Sequence, residues 1–184
     1  MNVIAGKTGA LSEELLTSVA QYRHKVFVEM LGWDLKCSAG LELDQFDRPD
    51  TLYVVAKDEQ GHVNGCARLL PTSKPYLLGE VFPELMQGQP IPCTPDVWEL
   101  SRFASVDFNG GKSSALAQFS SGVAAQLLRE AIAIAKTHGA KRLITVSPIG
   151  IERLLRHTGV RAHRAGPPMI INGHPIFACW IDVE

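Results

Sequence analysis

The sequence lacks most of the features that mark extracellular, metal-binding and membrane proteins. It has 4 cysteines in 184 residues (Cys37, Cys66, Cys93 and Cys179), and none form a C-x-x-C pair. That spacing argues against a zinc site or a disulfide framework and fits reduced thiols in a cytoplasmic protein. The 6 histidines are scattered without an H-E-x-x-H spacing, so no metal is expected. Long apolar runs are missing too: the stretch from Val123 to Ala135 is broken by Gln126, Arg129 and Glu130, which excludes a spanning helix there and predicts no membrane insertion. Met1 to Lys7 has no charged segment followed by an apolar one, so no signal peptide is expected and the predicted location is cytoplasmic. Low-complexity runs and self-similar periods are also lacking, which argues against linkers and repeat architectures.

What remains is an ordinary globular composition, 46% hydrophobic and 20% charged. At this length it predicts one domain over residues 1–184, large enough to bury its own core. The net charge of −1 conceals an uneven distribution. Residues 1–111 carry 9 Lys/Arg against 15 Asp/Glu, whereas residues 112–164 carry 9 Lys/Arg against only Glu130 and Glu152. A basic third on a near-neutral chain reads as a local docking face or a solvated surface. It does not read as a nucleic-acid scaffold, whose pI usually exceeds about 9.

Helical spacing of Leu15, Leu16, Val19, Tyr22, Val26 and Phe27 after Ser12-Glu13-Glu14 predicts a capped amphipathic helix from 13 to about 30. Leu52–Ala56 and Val63–Leu70, joined by Asp58-Glu59-Gln60-Gly61, predict a hairpin. The proline-rich stretch 71–95 reads as mostly loop, with a short turn at Pro83–Leu85. Then follow a strand over 97–105, a helix over 114–137 stopped by Gly139, a strand over 141–146, a helix over 149–157 and a strand over 175–183. Hairpin strands followed by a strand–helix–strand crossover imply an α/β fold, a mixed twisted sheet with helices on both faces.

Two tempting motifs fail. Gly110-Gly111-Lys112-Ser113 would need its first phosphate-loop glycine where Val106 stands, and Gln118–Ala124 is only a partial pyrophosphate loop. The chemistry lies elsewhere. Arg23 and Phe27 are four apart on one helix face, followed by Trp33 and by Glu42-Leu43-Asp44-Gln45-Phe46-Asp47. Singly these are a snorkelling arginine, a core tryptophan and solvated carboxylates. Together they supply a guanidinium for a carboxylate, an aromatic face for a cation and anions for an amine, as a zwitterionic ligand with a further positive centre requires. In Trp98-Glu99-Leu100-Ser101-Arg102-Phe103, strand alternation points Glu99 and Arg102 to opposite faces, so one shared site demands a bulge between them. Gly65, in Gly65-Cys66-Ala67-Arg68, allows close approach of a backbone or ligand.

Tyr22-Arg23-x3-Phe27-x5-Trp33-x8-Glu42-x-Asp44-x-Phe46-Asp47 resembles the N-terminal signature of the LuxI-type acyl-homoserine-lactone synthases. The resemblance continues through Gly65-x2-Arg68, Leu77–Leu85 with Phe82, and Trp98-Glu99-x-Ser101-Arg102-Phe103, with Met30 as a departure from the usual charged residue. It implies a three-layer αβα sandwich similar to the N-acetyltransferases. It implies that S-adenosylmethionine and an acyl-acyl carrier protein yield an N-acyl-L-homoserine lactone, methylthioadenosine and free carrier protein. S-adenosylmethionine is then a consumed substrate, and no cofactor is expected. By position, Arg23, Phe27, Trp33, Asp44, Asp47, Arg68, Phe82 and Arg102 would bind S-adenosylmethionine, with Glu99 as the base and Asp47 as second choice. Trp98, Leu100, Ser101, Phe103, Thr145, Val146 and Ile149 are candidates for the acyl tunnel, with Met86 and Leu154 further possibilities. The bulk of Trp98 and Phe103 points to a medium chain of about eight carbons. Arg129, Lys136, Lys141, Arg142, Arg153, Arg156, Arg161 and Arg164 are the expected docking residues for an acidic carrier protein. The competing readings are an acetyl-coenzyme A-dependent N-acetyltransferase and a non-catalytic module binding an acyl chain or nucleoside.

Overall fold

Ser12 starts the first helix as expected: its hydroxyl accepts the Leu15 N–H at 3.2 Å, and Glu13 and Glu14 occupy the first turn. In the computed structural model, which describes residues 1–110 and 122–184, this helix, α1 (Glu13–Arg23), gives way to a π-helical segment, His24–Met30. The helix expected to about residue 30 thus reaches that point, but its last part winds wider than regular helical spacing expects. Leu31 N–H reaches back five residues to Val26 at 2.9 Å, a wider winding that the apolar spacing of Val26 and Phe27 does not distinguish from an α-turn.

The strands are β1 (Asn2–Lys7), β2 (Leu52–Lys57), β3 (Val63–Pro71), β4 (Val97–Ala104), β5 (Arg142–Pro148), β6 (Ala162–Arg164), β7 (Met169–Ile171) and β8 (His174–Asp182). The remaining helices are α2 (Leu77–Val81), α3 (Gly122–Thr137) and α4 (Ile151–Thr158). The short β1, β6 and β7 escaped the sequence reading; β6 is exposed throughout, so tertiary pairing with β8 defines it rather than apolar alternation. The stretch 71–95 holds α2, where the sequence reading expects loop, and a 3₁₀ turn at Pro83–Met86, where a short turn is expected. The helix expected over 114–137 is described from Gly122 onward; its first part, with Lys112-Ser113 and most of Gln118–Ala124, lies outside the described residues. At its other end Gly139 adopts φ 89°, the left-handed stop its position predicts.

The chain divides into two compact units. The first comprises Met1–Arg68 and Arg102–Glu130, the second Leu69–Ser101 and Ala131–Glu184. In the first, β1 pairs antiparallel with β2, and β3 and the end of β4 follow in order. Leu15, Val19, Tyr22, Val26 and Phe27 pack on Tyr53, Val55, Cys66, Ala104 and Val106. Gly65 points to the opposite face from Cys66, and a Cβ there would stand 3.1 Å from Leu127 of α3 and 3.4 Å from the Ala104 carbonyl. The glycine thus serves helix packing, and helices lie on both faces of this part of the sheet. In the second unit β4 runs parallel to β5 from Val97↔Arg142 to Leu100↔Thr145, and β5 continues antiparallel to β8 as far as Pro148↔Ile176. The sheet is mixed, as expected. No described helix is long and apolar enough to cross a membrane.

Candidate active site

Loop 41–47 is held in place by its own backbone. Glu42 N–H donates to Ala20 of α1 at 3.1 Å, Phe46 N–H to the Asp44 carboxylate at 2.9 Å, and Asp44 N–H to Asp47 Oδ2 at 2.8 Å. This presents Glu42, Asp44 and Asp47 to arginines from three other elements. Arg23 Nε donates to Glu42 at 2.5 Å, and its two terminal nitrogens grip Asp47 at 2.7 and 3.1 Å. Arg102 reaches Glu42 at 2.9 Å and Asp44 at 3.0 Å. Arg68 reaches Asp44 at 2.6 Å and Asp47 at 3.2 Å. The six groups close a ring of alternating charge: Arg23, Glu42, Arg102, Asp44, Arg68, Asp47 and back to Arg23.

The ring is nearly dry, with Arg23 and Arg68 fully buried and Glu42 1% exposed. An isolated charge at such depth would be expensive, and mutual neutralisation with charge-assisted hydrogen bonds makes the burial tolerable. Burial pushes the Asp47 carboxyl upward, but Arg23, Arg68 and the Tyr53 hydroxyl outweigh it and hold it well below the usual carboxylate range. Glu42 is lowered in the same way by Arg102 and Arg23 against its burial. Tyr53 donates its hydroxyl to Asp47, and burial followed by that carboxylate raises the phenol. Above the ring, Phe27 and Trp33 stack with centroids 4.9 Å apart, and the Arg102 guanidinium lies 5.6 Å from the Phe27 ring.

Arg102 lies in mid-strand with φ 51°, a left-handed conformation that costs a residue with a Cβ roughly 1–2 kcal/mol. The left-handed residue departs from the regular strand geometry in which Arg102 would alternate with its neighbours. The Arg102 carbonyl accepts the buried Cys66 thiol at 3.3 Å, and its guanidinium is fixed by the ring.

The structure thus brings Arg23, Phe27, Trp33, Asp44, Asp47, Arg68 and Arg102 together in the first unit. It adds two residues that the expected binding set leaves out, Glu42 and Tyr53. Glu42 carried a signal, two positions before Asp44 in the same loop. Tyr53 carried none, because its hydroxyl meets Asp47 only through the packing of β2. In the second unit Glu99 is fully buried, its two oxygens accepting the N–H groups of Leu77 at 3.1 Å and Leu78 at 2.7 Å. Phe82 is partly buried at the C-terminal end of α2. Trp98, Leu100, Ser101 and Thr145 are buried and Val146 is partly so, while Phe103, in the first unit, is also partly buried. The Trp98 indole donates to Pro95 at 3.1 Å, and the Thr145 and Ser147 hydroxyls bond each other at 2.8 Å. Ile149 differs: it stands 41% exposed before α4, which begins at Ile151 rather than at 149.

All eight basic docking candidates are exposed. Lys141 pairs with Asp96, Arg161 with Asp182 and Glu184, and Arg164 with Glu152, while Arg142 covers Trp180 at 4.4 Å. Lys136, Arg153 and Arg156 have no salt bridge among the described residues. No metal-holding group of His, Cys, Asp and Glu occurs among the described residues.

A mixed sheet flanked by helices makes this an α/β sandwich, with the charge ring as its candidate site. The family model described as "Autoinducer synthase" matches residues 8–184, and the chain belongs to that family of transferases. The acyl-homoserine-lactone synthase of Acinetobacter nosocomialis is 57% identical over 183 residues, covering 100% of both chains. The crystal structure of TofI in a ternary complex with an inhibitor and MTA superposes with TM-score 0.87 at 41% identity, covering 100% of this chain and 92% of that one. BjaI, a CoA-dependent acyl-homoserine lactone synthase solved with SAM and isopentyl-CoA, gives TM-score 0.84 at 26% identity over 99% and 83% of the chains. A protein assigned as an N-acetyltransferase from Lactobacillus plantarum, 15% identical with TM-score 0.66 over 100% of both chains, shares the fold.

Proposed function

We propose that this enzyme joins the amino group of S-adenosylmethionine to an acyl group carried as a thioester on acyl carrier protein, then closes the product to an N-acyl-L-homoserine lactone. The observation that carries this reading is the charge ring beneath the Phe27–Trp33 stack. Its most exposed carboxylate, Asp44, keeps 15% of its side chain open and can face an ammonium. Arg102 keeps 5% open and can face a carboxylate. Trp33 offers a π-face to the sulfonium, an attraction of about 0.5–2 kcal/mol. Asp44, Asp47, Arg23, Arg68, Phe27 and Phe82 complete the proposed binding set.

The amine must lose a proton before it attacks. Asp47 is held as an anion by two arginines and Tyr53, which suits it to binding rather than to taking up a proton. Glu99 is the proposed base, acting directly or through one water, a contribution of about 10²–10⁴ in rate. The new N–C bond forms as the thioester C–S bond breaks, and the departing thiolate takes a proton. The methionyl carboxylate then attacks its own γ-carbon and expels methylthioadenosine. That step is intramolecular, so the protein has mainly to hold a bent conformer. Trp98, Leu100, Ser101, Phe103, Thr145 and Val146 are the proposed acyl-chain residues, with a chain of about eight carbons. The exposed charges of Lys136, Arg153 and Arg156 support an acidic protein as donor. The likeness to the CoA-dependent BjaI favours a second reading, an acyl-coenzyme A donor.

Incubating the purified enzyme with S-adenosylmethionine and octanoyl-carrier protein or octanoyl-coenzyme A, with mass spectrometry of the products, tests both readings. Equal release of lactone and methylthioadenosine is expected, faster with the carrier protein. Binding without either product would reject the reaction.

A further inference from the structure

Cys66 is fully buried on β3, two residues before Arg68 and on the same face of the strand. It packs in the cluster that holds Phe27, Tyr22 and Tyr53. Its thiol lies 3.3 Å from the carbonyl oxygen of Arg102, the one ring member whose backbone is left-handed. A strained conformation persists only where its surroundings over-determine it. Arg102 is held at both ends, its guanidinium by Glu42 and Asp44 and its carbonyl by the thiol. Burial pushes the Cys66 thiol up to about 12, so it remains protonated and able to donate throughout the neutral range.

We infer that Cys66 is a positioning residue: its S–H, donated to the Arg102 carbonyl, fixes the left-handed turn of β4 and thereby the placement of the Arg102 guanidinium that receives S-adenosylmethionine. The inference rests on the binding role proposed for the ring. Cys66 touches no substrate and acts through Arg102 alone. Serine at this position retains a donor, whereas alanine retains none.

The test compares Cys66→Ala and Cys66→Ser with the wild type in KM for S-adenosylmethionine, kcat, melting temperature and a crystal structure. Loss of one net hydrogen bond predicts an about three- to tenfold rise in KM for Cys66→Ala, with kcat within about twofold. Cys66→Ser should return KM to within about twofold of wild type. An unchanged KM in the alanine variant overturns the inference, even with a lowered melting temperature, since that pattern marks packing alone. Equal impairment of the two variants overturns it as well. If the wild type makes no lactone, the proposed function fails, and crystallography alone decides the positioning role. Departure of Arg102 from positive φ in Cys66→Ala then supports it, and an unmoved Arg102 rejects it.

Discussion

Arg102 reaches Asp44 at 3.0 Å across 58 residues of sequence because its own backbone turns left-handed in the middle of β4. On a regular strand its side chain would share a face with Leu100. The turn re-aims the guanidinium and closes a ring in which each arginine bridges two carboxylates.

Glu42 is the carboxylate shared by Arg23 and Arg102. Glu42→Ala would leave both guanidinium groups buried without their common partner, a loss of about 3–5 kcal/mol. Urea denaturation measures it. A change below about 1 kcal/mol would mean that water or a rearranged side chain replaces the carboxylate readily.

Tyr53→Phe keeps the buried aromatic body and removes the donor to Asp47. A hydrogen bond to a charged group contributes about 1.5–3 kcal/mol, and the variant should lose that much stability. Calorimetry should also show weaker S-adenosylmethionine binding. Unchanged stability and affinity would show that Arg23 and Arg68 alone orient Asp47.

Acid should unfold the protein through the ring. Asp47 and Glu42 ionise at lower pH in the folded chain than in the unfolded one, so between the two values the unfolded state binds more protons and stability rises with pH. Their contribution is complete above the unfolded carboxylate range of about 3.9–4.3. It falls progressively as pH drops below that range, through the folded values. Denaturation midpoints from pH 7 to pH 2 in the wild type and Glu42→Gln should converge towards the acid end. Parallel curves would contradict the ring's part in acid unfolding.

Glu99 anchors the start of α2 as well as being the proposed base. Glu99→Ala removes both acceptors and should lower the melting temperature along with turnover. Glu99→Gln retains one acceptor in the same volume, so turnover should fall about 10²–10⁴-fold with a smaller effect on stability. A glutamine variant with near-normal kcat would reassign the proton to another group.

Arg153→Glu and Arg156→Glu remove positive charge from the exposed face of α4. With acyl-carrier protein the double variant should raise donor KM about five- to tenfold at low salt, and the difference should shrink as salt rises. With acyl-coenzyme A it should change KM less. An unchanged carrier-protein KM would remove α4 from the docking surface.

The apolar spacing of Leu15, Val19 and Tyr22 located α1 because a helix must turn its oily stripe to the core, and the hairpin and Gly139 were equally visible in local chemistry. The π-helical winding at His24–Met30 and the β6 pairing were not, since both depend on what lies beside the segment rather than within it. Of the ring, Arg23, Asp44 and Asp47 could be picked out from residue types and spacing, and Arg68 and Arg102 could be added through the family resemblance. Tyr53 could not, because a tyrosine in an apolar strand reads the same whether or not its hydroxyl meets a carboxylate.

The amino-acid order alone settled which charged and aromatic groups this enzyme carries and the local propensities that make its helices and hairpin. The tertiary structure decided their pairing: that three arginines and three carboxylates neutralise one another, and that Arg102 accepts a strained backbone to do so. Local propensity acts over a few residues, whereas buried charges are satisfied only by partners that packing brings from distant parts of the chain.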